Sequence, residues 1–486
     1  MNIRKPSLST THDDFAQHLE RLRQLPTCND PNLGTLFEQH LPIYVARAPG
    51  RLDVMGGIGD YSGSLVLEMP AAEASFAAVQ ESLDSGDIRV ASLSQDEFGV
   101  PRLCTISATR FTRFLKSDLD AVCNELRGTS EWASYVLGPI LVLLKETGAE
   151  LRGGLRILID SQVPEGKGVS SSAAIEVATM RAVAALLKIK LAGDELARLC
   201  QVAENLVVGA PCGIMDQMTS ALGRESALLA IRCQPAVVEG VVQIPRELAF
   251  WGIDSGIRHA VSGSDYSSVR CGAFMGYRII AESAGFVAKG ADASDAWIVD
   301  DPQWHGYLAN ITPQEFHREY ARTVPAQISG REFLDRYGGT TDPVTRVDPN
   351  RTYAVHHPTL HPIEENSRST RFRELLQSEI SPSAMGEMGQ LMAASHASYS
   401  ACGLRSEGTD LLVKLVREAG PESGIVGAKI TGGGSGGTVA ILGRADAFPA
   451  VERVAQQYTA ATGRAAYIFG GSSPGAYGTP VAEVII

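Results

Sequence analysis

The sequence predicts a two-domain chain of mixed helix and sheet, α+β in class, and three features point that way. L-R-I-L-I-D (Leu155 to Asp160) reads as a strand running into a Gly/Ser loop and then an Ala-rich helix. F-W-G-I-D-S-G (Phe250 to Gly256) reads as a second buried strand, opening a further region of helices and strands that continues to the end of the chain. At 486 residues, 44% hydrophobic and 20% charged, the chain is long enough for two or three domains with substantial cores. The expected organisation is a helical, polar extension over 1–40, a first domain over 41–248 and a second over 249–486. An aromatic, Pro/Asp-rich insertion at about 285–360 carries D-D-P-Q-W-H-G-Y and D-P-V-T-R-V-D-P.

A net charge of −12 argues against nucleic acid or an anionic membrane as general partners, while leaving room for a small anion held by a local site. The eight cysteines show no C-x-x-C pair and no scaffold spacing, so reduced thiols in a cytoplasm are expected. The first residues, M-N-I-R-K-P-S, lead into polar sequence and not into the apolar stretch of a signal peptide. Y-V-L-G-P-I-L-V-L-L (Tyr135 to Leu144) is too short to span a bilayer and contains Pro139, so it reads as a buried helix.

Taken in chain order, the first element with chemical content is V-P-E-G-K-G-V-S-S-S-A-A (Val163 to Ala174). Amides of a glycine turn, added to the dipole of the helix that follows, form a concave donor site for phosphate. Gly166 and Gly168 let the backbone approach, and Ser170, Ser171 and Ser172 add hydroxyl donors. The loop lacks the G-K-S/T ending of a Walker A motif. Ser172 is the expected N-cap of a helix reaching Leu187, and a second helix is expected over Asp194 to Leu206. On that second helix Glu204 follows Cys200 by four residues along the apolar stripe, where a carboxylate needs a partner or a metal. Asp216, in C-G-I-M-D-Q, reads by itself most simply as a helix cap. Lys429 to Leu442 holds five glycines in six residues around Ser435 and fits a structural turn as well as an active-site wall.

Together with A-P-G-R-L-D-V-M-G-G-I-G-D-Y (Ala48 to Tyr61), these elements resemble the three motifs of the GHMP kinases, the family of galactokinase, homoserine kinase and mevalonate kinase. The resemblance implies a first domain like the ribosomal S5 fold and a ferredoxin-like second domain, with ATP and a sugar between them. It implies that Pro164, Gly166, Lys167, Gly168, Val169, Ser170, Ser171, Ser172 and Ala173 hold the nucleotide, and that Ser172 and Glu204 hold Mg²⁺. Asp216 would accept or orient the proton of the attacking hydroxyl, with Arg51 beside it stabilising charge. Arg51, Gly57, Ile58, Asp60, Gly213, Asp216 and Tyr266, the last in S-D-Y, would contact the sugar. Gly432, Gly433, Gly434, Ser435 and Gly436 would close over the site.

Galactokinases open with P-G-R-x-N and then G-E-H-x-D-Y; here Gly57 and Ile58 stand where Glu and His are expected. Neither offers a charge or hydrogen bond to an exocyclic hydroxymethyl group, so the expected substrate is a galactose-like sugar without one, such as L-arabinopyranose. Its anomeric hydroxyl would be phosphorylated to β-L-arabinose 1-phosphate. Galactose is the alternative substrate. A non-catalytic sugar sensor is the alternative from another class, and the intact serine loop with Glu204 and Asp216 argues against it.

Overall fold

The computed structural model describes residues 11–95, 101–128, 131–257, 264–290 and 296–486. Residues 1–10 of the expected extension and 291–295 of the expected insertion lie outside that set, as do the side chains of Ser264 and Asp265.

The first sheet is built on β1 (Ile43–Met55) and β2 (Leu65–Ser82), which pair antiparallel. β2 continues to β5 (Gly154–Ser161), then β3 (Ile88–Gln95) and β4 (Pro101–Ile106), while β6 (Ala227–Arg232) pairs with the start of β2 and with β7 (Val237–Gln243). Among the described strands of this sheet only β3 and β5 run parallel. β1 is buried along nearly its whole length because both faces are covered, and its side chains alternate between two cores. Ala46 and Ala48 face the helices Glu131–Thr147, Ser171–Leu186 and Gly193–Ala203, whereas Ile43 and Val45 face Leu22, Leu25 and Phe37.

The polar extension is therefore docked on the sheet. Its helix, Thr11–Gln24, stacks His18 on Phe76 at 4.5 Å and sends Asp14 into a 2.7 Å pair with buried Arg47. The strand Ala482–Val484 also returns to pair with β1, so the expected second domain gives its last strand back to the first sheet.

The second sheet is antiparallel, in the order Ile425–Ile430, Thr438–Arg444, β8 (Leu248–Asp254), Tyr467–Gly470. Helices Glu407–Ala419 and Phe448–Thr462 cover one of its faces through Leu412, Val416, Val451 and Val454. A further core joins the two sheets to the helix pair His356–Gln377 and Pro382–Ala401 through Phe372, Met388 and Met392. The insertion has a core of its own, with Trp304, Phe316, Phe333 and Tyr353 packed on Met275 and Tyr277 of the helix Ser264–Ser283. Among the described residues no helix is long and apolar enough to cross a membrane.

Candidate active site

A cavity of about 410 Å³ opens where β1, the serine loop, the helix Met215–Leu222 and the glycine loop converge. β1 breaks register with β2 between Pro49 and Arg51, and the cause is local. A Cβ at Gly50 would lie 2.6 Å from the Val169 carbonyl, which instead accepts the Arg51 amide at 3.0 Å. The bulge delivers Arg51 to the cavity with its side chain only 3% exposed. Its Nη1 donates to the Gly168 carbonyl at 2.7 Å and its Nε to Asp216 Oδ1 at 2.8 Å, with Glu68 3.4 Å away. Burial works against the guanidinium charge, but Asp216, Glu68 and Asp53 outweigh it and hold Arg51 protonated above its ordinary range.

Asp216 is not a cap. The N-cap position of its helix is Ile214, and the two carboxylate oxygens go to Arg51 and, at 2.5 Å, to the Ser170 hydroxyl. Ser170, and not the expected Ser172, takes the N-cap position, in the left-handed region (φ +60°) and without a side-chain cap bond because its hydroxyl goes to Asp216; the helix begins at Ser171. Gly166, Gly168, Ser170, Ser171 and Ser172 all line the cavity. Other members of the expected nucleotide loop turn away: Val169 packs with Val163 and Phe469, and Ala173 is fully buried in the protein core. Lys167 pairs through Nζ with Asp254 at 2.6 Å, and its carbonyl accepts the Thr438 hydroxyl, tying the loop to the second sheet. Pro164 is half-buried beside the loop and does not line the cavity. Trp132 and Tyr135 do line it, and sequence reasoning missed them. Their spacing of three on one helix face was the available signal.

Glu204 lies where the helix Gly193–Ala203 passes into a π-helical turn, Glu204–Val208, a geometry often found at functional sites. Burial, reinforced by Asp216, pushes its carboxyl up to about 7, against hydrogen bonds from Ser172, Cys212 and Gln217. Gln217 bridges Glu204 to the fully buried Glu176, whose carboxyl burial pushes well above its usual range. Among the described residues no three His, Cys, Asp or Glu side chains are arranged to hold a cation by themselves. Ser172 and Glu204 both line the cavity and carry oxygen donors of the hard type that suits Mg²⁺.

Asp60 is 4% exposed and accepts the Tyr61 amide at 2.9 Å. A Cβ at Gly213 would fall 1.6 Å from Asp60 Oδ2, so only glycine fits there. Tyr266 and Ile58 complete this end of the cavity. Ile58 is 1% exposed and holds φ +47°, which costs a β-branched residue about 1–3 kcal/mol. Gly57 departs from expectation: it faces away from the cavity, and a Cβ there would meet Asp53 Oδ2 and the Tyr399 hydroxyl, each at 2.2 Å. The glycine loop is divided likewise. Gly432 and Gly433 line the cavity, with Gly432 packed on Arg51, whereas Gly434 and Ser435 are pinned on Leu404. Gly436 takes φ +124° on the return to the second sheet and does not line the cavity.

Burial, with Asp216, raises the Asp60 carboxyl from 3.8 to about 6, against the pull of Arg270. A raised carboxyl favours the folded state while protonated, so its share of stability fades as the pH rises from about 4 to 6. His361, which burial holds down at about 4, changes in the opposite sense over an overlapping range. The measurable quantity is therefore the difference between the protein and Asp60→Asn. Denaturant unfolding should show the variant gaining about 3 kcal/mol relative to the parent between pH 4 and 7. A difference that does not change with pH would remove Asp60 as a buried, acid-stabilised group.

Comparisons with known proteins bear on the fold and the family. The model for the GHMP kinases N terminal domain matches residues 134–224, and that for the GHMP kinases C terminal matches 372–460. The chain is 43% identical to L-arabinokinase from Arabidopsis thaliana over 91% of its own length, but spans only 47% of that relative. It is 31% identical to galactokinase from Chloroflexus aurantiacus, covering 88% of the chain and 92% of the relative. In structure it superposes on Lactococcus lactis galactokinase complexed with galactose with a TM-score of 0.69 at 19% identity, over 97% of this chain and 100% of that one. With both family models in place and a galactokinase matched over most of its length, the chain belongs to the GHMP kinase family.

Proposed function

We propose that the protein is an ATP-dependent sugar 1-kinase acting on L-arabinose. The observation that carries this reading is the Arg51–Asp216–Ser170 arrangement, set between a serine loop at the start of a helix and the end of the cavity walled by Asp60, Ile58 and Tyr266. The amides and hydroxyls of Ser170 to Ser172 suit ATP phosphates, and Trp132 and Tyr135 offer flat faces to a base. Asp216 faces the cavity with a carboxylate fixed by two donors, placed to accept a hydroxyl proton. The anomeric oxygen forms a bond to the γ-phosphorus as the bond to the β,γ-bridging oxygen breaks, and ADP leaves with that electron pair. Arg51, held charged, stabilises the negative charge shared among the equatorial oxygens. Ser172 and Glu204 would hold Mg²⁺, which would supply neutralisation of the phosphate charge. The free thiols suit a reducing compartment such as the cytoplasm.

Ile58 supports arabinose: a buried aliphatic wall offers no partner to a hydroxymethyl group. The 43% identity to an L-arabinokinase points the same way, and the galactokinase relatives make galactose the competing substrate. Initial rates of ADP formation with L-arabinose, D-galactose, D-glucuronate and N-acetylgalactosamine at equal concentrations test the reading. L-arabinose should give the highest kcat/KM, with residual turnover of galactose. A higher value for any other sugar overturns the substrate assignment.

A further inference from the structure

The D-P-V-T stretch of the insertion has no part in the reaction as described, yet its Asp342 binds Arg270, which holds the chain beside the sugar end of the site. We infer that Asp342 is a positioning residue for the sugar pocket, supplied by the insertion and acting through Arg270. The inference rests on the sugar-kinase reading and deepens it.

Arg270 lies on the helix that carries Tyr266 and is 5% exposed. Its Nε and Nη2 donate to the two oxygens of Asp342, both at 2.8 Å, in a bidentate pair. Its remaining nitrogen, Nη1, donates to the Cys212 carbonyl at 2.9 Å, and its guanidinium lies 5.4 Å from the Tyr61 ring centre and 5.7 Å from that of Phe274. Asp342 is itself locked, accepting the amides of Val344 and Thr345 and the Thr345 hydroxyl at 2.6 Å. Two of the points Arg270 grips adjoin the sugar wall: Cys212 precedes Gly213, and Tyr61 follows Asp60 and packs edge-on to Tyr266 at 6.1 Å. Planar, bidentate and stacked, this site calls for arginine and not for lysine. The insertion thus fixes the two chain segments that bring Asp60 and Gly213 into contact.

Arg270 is also the main positive charge acting on Asp60. The other ionisable groups facing that carboxyl are Asp216, Tyr61, Tyr266 and Cys233.

The test compares Asp342→Asn, Arg270→Met and the milder Thr345→Val with the parent protein, using the sugar that the parent turns over best. Asp342→Asn should raise the sugar KM about 10- to 100-fold and leave the ATP KM within about twofold. Thr345→Val, which removes one hydroxyl donor from Asp342, should show the same split at a few-fold, and covers the case where the other variants fold poorly. Arg270→Met should in addition move the acid limb of kcat/KM for the sugar to higher pH, because Asp60 loses its cation; a purely structural defect would not shift that limb. Equal effects on both KM values, or an unmoved acid limb, overturn the inference. If the parent phosphorylates no sugar, the kinase reading fails before the variants are compared, and the inference falls with it.

Discussion

Asp216→Asn should lower kcat about 10²- to 10⁴-fold, the range expected when a positioned acid–base group is removed. The fold should survive, because asparagine keeps an oxygen for Ser170 and Arg51 retains Glu68 at 3.4 Å and the Gly168 carbonyl at 2.7 Å. ATP should bind nearly as before, since the asparagine oxygen can still accept the Ser170 hydroxyl and Arg51 still holds the Gly168 carbonyl. Fluorescent-nucleotide titration with single-turnover kinetics separates the two effects. A kcat within about threefold of the parent would show that Asp216 only shapes the site, and would leave Arg51 and the phosphate loop to carry the rate enhancement.

What the sequence disclosed follows from how far each contact reaches along the chain. The serine loop, its strand and its helix are contiguous, and periodicity with glycine placement was enough to find them. Arg51 and Asp216 were legible only through motif resemblance, because their bond joins residues 165 apart. The direction of side chains within a correct motif was the part that failed. Val169 and Ala173 belong to the phosphate loop by sequence, yet alternate into the core as the chain enters a helix. Lys167 is drawn off by Asp254, a residue of the second sheet that no local pattern could have paired with it. Asp342 lay in a segment read as an insertion, and its grip on Arg270 spans 72 residues without any periodic sign.

Gly57 is where a local reading misled most, and it yields the second large effect. Gly57→Ala should destabilise the protein by about 3 kcal/mol or more, and Gly57→Glu should not give a folded enzyme. The added Cβ would meet Asp53 Oδ2 and the Tyr399 hydroxyl at 2.2 Å, and neither can retreat. Asp53 is paired with Lys429 at 2.8 Å, both fully buried, and also accepts the Gly432 amide at 3.2 Å. Tyr399 donates to the Gly432 carbonyl at 2.8 Å. Displacing either strains a buried ion pair whose rupture costs about 3–5 kcal/mol, and disturbs the glycine that packs on Arg51. Thermal denaturation checks this, and an unchanged melting temperature in Gly57→Ala would mean that the network yields readily. The volume a glutamate would need at 57 is thus already filled by the Asp53–Lys429–Tyr399 network, which leaves Ile58, of the two neighbours, as the one proposed to bear on sugar choice. Ile58→Asn keeps a residue tolerant of φ +47° and adds a hydrogen-bonding group to the wall, so it should raise the galactose-to-arabinose ratio of kcat/KM without the stability loss expected at Gly57.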